Sequence, residues 1–144
     1  MEKVKFAEKT NRSKSDDLFT ARAVIQLNGR LLVHSHLEKF GTYITLGGHV
    51  HKGESLWEGL CRELQEEAGI TVTGKERDPD FVYMRNHYYV LSPKEIEMGG
   101  ERTHTDGGKL ALVTWDEMLQ ANEKSIAVPI IHSDYEALTR LLKS

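Results

Sequence analysis

The sequence predicts an α+β fold, built as an α/β sandwich, and three observations carry that expectation. Thr20–Leu27 and Arg30–His36 are strand-like segments that flank Asn28–Gly29, a strong hairpin signal. Trp57, Leu60, Cys61, Leu64 and Ala68 recur at spacings of three and four, which is one stripe of an α-helix. The remaining strand-like segments do not alternate regularly with helices, so the pattern argues against a doubly wound sheet.

Taken in order, residues 1–19 are highly charged and read as an N-terminal arm, or as an edge strand through Val4 and Phe6. The hairpin follows, and Tyr43–Leu46 forms a third strand leading into a loop that holds Gly47, Gly48 and Gly53. Ser55 with Glu58 three residues later is a capping box that opens the amphipathic helix, and Gly69 closes it. Ile70–Thr73 begins a β-branched strand, Lys75–Asp80 is a polar break, and Phe81–Leu91 reads as one long aromatic-rich strand. Ser92–Lys109 is a glycine-containing loop of eighteen residues, a length that in a compact domain points to function or mobility. Leu110–Thr114 is a further strand, a helix starts at Trp115–Gln120, and Ser133–Lys143 forms a terminal helix.

Composition bounds the function. A chain of 144 residues with 39% hydrophobic and 28% charged residues fits one globular domain. A formal net charge of −3 gives no electrostatic case for a nucleic-acid polymer as partner. The lone Cys61 cannot form an internal disulfide and suits a reducing cytoplasm. The polar N-terminus shows no secretory signal, and no run of about 20 apolar residues marks a membrane span.

Chemistry concentrates in the helix. Glu58, Arg62, Glu63, Glu66 and Glu67 fall within ten residues, and Glu63, Glu66 and Glu67 are expected to share the face away from the apolar stripe. Like charges so close repel, and a divalent cation with a preference for oxygen is the natural counter-charge. Glutamates and arginines on helices are usually a solvated face, so spacing has to decide. His49 and His51 with Glu54 superficially resemble a cupin-type metal motif, but the spacing is short and a helix follows where a strand is required. His34 and His36 share a strand face and are expected to pack or meet water.

The spacing of Gly48–Ile70 resembles the signature box of the Nudix hydrolases, G-x5-E-x7-R-E-U-x-E-E-x-G-U, with U a bulky aliphatic. Gly48, Glu54, Arg62, Glu63, Leu64, Glu66, Glu67, Gly69 and Ile70 fill all nine specified positions. Ordinary residue frequencies put a chance match at roughly one in ten million. Leu46 stands where the family often has proline and His51 where it often has glutamate, both outside the specified positions.

The resemblance implies a mixed sheet packed between helices and a Mg²⁺-dependent hydrolase, with Mn²⁺ as an alternative cation. Its substrate would be a nucleoside diphosphate linked to another moiety: a nucleoside triphosphate, nucleotide sugar, ADP-ribose or dinucleoside polyphosphate. Glu63, Glu66 and Glu67 match the metal-ligating glutamates, the Gly48 carbonyl a backbone ligand, and Arg62 the arginine that orients them. Glu54 matches the loop glutamate, which ties the loop to the helix or meets a metal through water. For the general base, a box glutamate competes with Asp106 or Glu101 of the long loop. His49 and His51 are placed to meet phosphates, and Tyr88 lies near a position associated with dinucleoside polyphosphates. A base-stacking aromatic there would contribute about 1–3 kcal/mol. Homodimers are frequent in the family, which makes arm exchange between subunits conceivable. The competing reading is a catalytically silent Nudix-fold module that binds a nucleotide and reports its level. Silent members are expected to lose box carboxylates, whereas this chain keeps them.

Overall fold

The computed structural model describes residues 19–36, 41–83, 85–102 and 109–123. Asn28 and Gly29 take positive φ values of 53° and 78°, as a two-residue hairpin turn requires, and join β1 (Thr20–Leu27) to β2 (Arg30–His36). The two arms pair only near the turn, through Gln26 with Leu31 and Leu27 with Arg30. Beyond it they diverge, and β3 (Thr42–His49) enters between them. It pairs with β1 through Leu46–His49 and with β2 through Thr42–Thr45.

Helix α1 (Leu56–Ala68) follows, opened by the expected box: Glu58 N–H donates to the Ser55 hydroxyl at 3.1 Å, and Ser55 N–H to the Glu58 carboxylate at 2.9 Å. Gly69, at φ 65°, ends it with its N–H on the Gln65 carbonyl, while Ile70 N–H reaches the Leu64 carbonyl. After α1 come β4 (Thr71–Val72), β5 (Phe81–Tyr83), β6 (Asn86–Leu91), a 3₁₀ turn at Pro93–Glu95, β7 (Ile96–Glu97), β8 (Lys109–Val113) and helix α2 (Trp115–Glu123). The main sheet runs β5-β6-β1-β3-β2-β8, and a small ribbon pairs β4 with β7. The sheet is mixed because β6 runs parallel to β1 while the other pairings are antiparallel.

Strand alternation sends residues to two cores. Ala21, Ala23, Ile25, Leu32 and Leu46 meet Leu56, Trp57, Leu60 and Leu64 of α1. On the opposite face Val24, Leu31, Val33, Tyr88 and Val113 gather with Met118 of α2. One helix therefore covers each face, as the α/β/α sandwich predicts.

Four expectations change. The stretch Ser92–Lys109, expected as one loop, holds the 3₁₀ turn at Pro93–Glu95 and strand β7. Gly47 and Gly48 belong to β3, not to a loop: Gly47 pairs with Arg22 and Gly48 with Ala21. A Cβ on Gly47 would sit 2.2 Å from the Ala21 carbonyl at a φ of 132°, so glycine here permits close strand approach within the ladder. Phe81–Leu91 is two strands, because β5 folds back on β6 with Tyr83 opposite Asn86. Its turn contains no glycine or proline, so nothing punctuates the sequence there. The strand expected at Ile70–Thr73 shortens to β4, which among the described residues pairs only with the two-residue β7. The N-terminal arm, Asp106 and the Ser133–Lys143 helix lie outside the described residues.

Candidate active site

Arg62 is the hub of the acidic helix. Its Nε donates to Glu54 at 2.7 Å, and one terminal nitrogen reaches the other Glu54 oxygen at 3.1 Å and the His49 carbonyl at 2.9 Å. The remaining nitrogen donates to Glu63 at 2.9 Å and to Glu66 at 3.1 Å. All five guanidinium donors are thus engaged, two of them in a fork on one carboxylate. Burial alone would lower the Arg62 pKa, but Glu54 and Glu63 outweigh it and hold the charge more firmly than usual.

Glu54 works as a loop clasp. It takes the Arg62 fork from the helix side and the His51 N–H at 2.7 Å from the loop side. Burial pushes its carboxyl upward, but hydrogen bonds from Arg62 and His51 prevail and keep it below the usual carboxylate range. Of the two roles the sequence left open for Glu54, the observed contacts are those of tying loop to helix. His49 and His51 are exposed, and their main-chain groups, the His49 carbonyl and the His51 N–H, complete the clasp.

Glu63 departs from the face expected for it. It is only 9% exposed and lies against Gly48, where an added Cβ would meet its carboxylate at 2.7 Å. The missing side chain of Gly48 is what lets a carboxylate lie against the strand. Glu67 shares a hydrogen bond with Glu63 and receives the Gly47 N–H. Burial, and then the Glu63 hydrogen bond and charge, push Glu67 up to about 8, against the opposing pull of Arg22 and Gly47. Glu67 therefore keeps its proton near neutral pH beside the nearly buried Glu63. Among the described residues no group of three His, Cys, Asp or Glu side chains gathers as a cation site, since Glu66 turns toward Arg62.

Arg22, which the sequence did not single out, and His34, expected to pack or meet water, flank this pair. Arg22 is 3% exposed, donates to the Thr45 carbonyl at 3.0 Å, and has an Nε with no partner among the described residues. The His34 Nδ1 lies 3.5 Å from Glu67, so this imidazole is neither simple packing nor solvent-facing. Strand parity held the clue, because His34 shares its face with Leu32, a residue packed in the α1 core.

Tyr88, expected near the substrate, is a core residue in the described structure. It is fully buried, stacked on Phe81 with ring centroids 4.6 Å apart and planes 2° from parallel, and offers no ring face to a ligand. Glu101 is exposed, and its carbonyl meets Gln65 near the end of α1 at 3.5 Å. Burial, then the charges of Glu76 and Glu58, push the Cys61 thiol up to about 11, which removes it as a nucleophile near neutral pH.

The family model of the NUDIX domain matches residues 18–133. The chain belongs to the Nudix family. Solved Nudix structures share its fold: a MutT Nudix hydrolase of Burkholderia pseudomallei aligns with a TM-score of 0.57 at 20% identity, covering 84% of this chain and 95% of that one. A Nudix hydrolase of Nitrosomonas europaea aligns with a TM-score of 0.53 at 19% identity, covering 83% and 88%. A MutT protein of Bacillus halodurans gives a TM-score of 0.51 at 23% identity, covering 80% and 82%. No curated protein sequence matches the chain significantly. As a Nudix hydrolase the protein acts on phosphoanhydride bonds, and Nudix hydrolases generally use divalent metal ions.

The residues present fit such an ion. Glu67, protonated beside Glu63, can give up its proton to a hard divalent cation, which relieves the same repulsion more completely. Among the described residues no helix is long and apolar enough to cross a membrane.

A pH dependence follows. Because Glu67 is raised in the folded state, folded protein binds more protons than unfolded protein between the ordinary glutamate value of 4.5 and about 8. The associated stability is full below that window and lost as pH rises through it. The metal-free protein is therefore expected to melt lower at pH 8.5 than at pH 5.5. Added Mg²⁺ should raise the melting temperature more at the higher pH, and Glu67→Gln should flatten both trends in scanning calorimetry.

Proposed function

We propose that the protein is a Mg²⁺-dependent pyrophosphohydrolase that cleaves a nucleoside diphosphate linked to another moiety. The observation that carries this reading is the Glu63–Glu67 pair, with Glu63 lying against Gly48 and Glu67 on the Gly47 N–H. Glu63 and Glu67 would hold the cation, with Glu66 and the Gly48 carbonyl as further ligands and Mn²⁺ as a substitute ion. When bound, the cation supplies charge neutralisation at the diphosphate and acidifies a water.

The chain's own residues supply the positioning. Arg62 fixes the spacing of Glu54, Glu63 and Glu66, so the acidic groups need little reorganisation when charge develops. Glu54 holds the loop through the His51 N–H, and the exposed side chains of His51 and of His49 at the end of β3 would donate to substrate phosphates. Glu101, or Asp106 beyond the described residues, serves as general base or further ligand. Small nucleotide derivatives suit the family, and nucleoside triphosphates, nucleotide sugars, ADP-ribose and dinucleoside polyphosphates make up the test panel.

Hydrolysis of that panel with Mg²⁺, its products separated by chromatography, decides the matter. Wild type is expected to release a nucleoside monophosphate from at least one compound, and Glu67→Gln to lose about 100-fold or more in turnover. Retained turnover in Glu67→Gln would misplace the metal. Tight nucleotide binding without turnover by wild type would instead establish the silent module.

A further inference from the structure

The last turn of α1 carries Glu66 and Glu67, and helix ends fray because their final carbonyls lack intrahelical donors. Here a distant segment supplies one. Arg102 Nε donates to the main-chain carbonyl of Glu67. Its neighbour Gly100 donates its N–H to the Gly69 carbonyl at 2.9 Å. The fit is close on both sides: a Cβ on Gly69 would stand 2.0 Å from the Gly100 carbonyl, and one on Gly100 would stand 2.7 Å from the Gly69 carbonyl. Gln65 Nε2 adds a long contact to the Glu101 carbonyl at 3.5 Å. Residues 99–102 therefore dock on the exit of the acidic helix through two facing glycines and a guanidinium.

A basic side chain at a helix C-terminus is often only a cap, favourable to the helix dipole and nothing more. Two features separate this one. The donor lands on the residue whose side chain is half of the carboxyl pair, and its reach depends on glycine at both contacting positions. Movement of the Glu67 main chain would carry its carboxylate away from Glu63 and Gly47. Resting on the cation site assigned above, we propose that Arg102 is a positioning residue, which latches the end of α1 so that Glu67 stays paired with Glu63 for cation binding.

The test uses full-length protein without substrate and Mn²⁺ as the probe, with its dissociation constant read by electron paramagnetic resonance and global stability read by urea denaturation. Arg102→Met is expected to weaken Mn²⁺ binding about 10-fold, as loss of an outer-sphere partner commonly does, while the urea midpoint moves little. Arg102→Lys keeps a cationic donor and should recover most of the affinity. Gly100→Ala undocks the segment without touching Arg102 and should reproduce the weakening. Unchanged Mn²⁺ affinity in both Arg102→Met and Gly100→Ala would overturn the latch. A wild-type protein that binds no Mn²⁺ would overturn the cation site itself, a result distinct from failure of the latch.

Discussion

Replacing Arg62 with methionine is expected to lower turnover by about 100-fold or more and to lower stability by about 2–3 kcal/mol. The side chain serves Glu54, Glu63, Glu66 and the His49 carbonyl at once, so its loss leaves three carboxylates facing one another and releases the loop. Arg62→Lys should rescue little, because a single ammonium cannot reproduce five donors in a planar fork. The sign of the metal response separates this from simple unfolding. With Arg62 gone, the freed acids attract a cation without holding it in a productive arrangement, so Mg²⁺ should still raise the melting temperature while turnover stays low. Steady-state kinetics and calorimetry on the same preparation check both halves. Turnover near wild type would show that the hub is dispensable.

The second large effect is a contrast between neighbouring glycines. A methyl on Gly48 would meet the Glu63 carboxylate at 2.7 Å, and that carboxylate is the far end of a flexible side chain. Gly48→Ala should therefore leave the fold nearly intact and displace Glu63, with turnover falling about 10- to 100-fold. At Gly47 the obstacle is backbone: the Ala21 carbonyl would be 2.2 Å away, and φ is 132°. Gly47→Ala should cost about 3 kcal/mol of stability, since neither strand can retreat without breaking its ladder. Urea denaturation together with turnover measurements distinguishes the two. Equal losses of stability in both variants would refute the assignment of one glycine to the site and the other to the sheet.

Much of this was legible before any coordinates. Ser55 with Glu58, Gly69 after Ala68, and Asn28–Gly29 are local signals whose geometry follows from their own side chains and backbone freedom. The acidic spacing was equally legible, because a helix fixes which residues lie one turn apart. What escaped depends on contacts between distant segments. No local pattern distinguishes a glycine in a loop from one that admits a neighbouring strand, so the sequence around Gly47 and Gly48 reads as a loop. The burial of Glu63 required the bare patch at Gly48, fifteen residues away. Tyr88 reads as a possible pocket wall because the sequence does not show that β5 pairs beside β6 and sets Phe81 opposite Tyr88 in the core. Arg22 gave no signal at all, since a single arginine in an apolar strand ordinarily marks a solvent-facing position.

The insertion of β3 between the spread arms of the first hairpin has a mechanical consequence. The strand that presents Gly47 and Gly48 to the acidic helix is gripped along both borders, by β1 over its later half and by β2 over its earlier half. Such a rail can neither slide lengthwise nor peel from an edge without undoing the hairpin beside it. Any adjustment between helix and sheet at this site is therefore easier on the side of α1, which is joined to the strand by side-chain packing and not by a ladder.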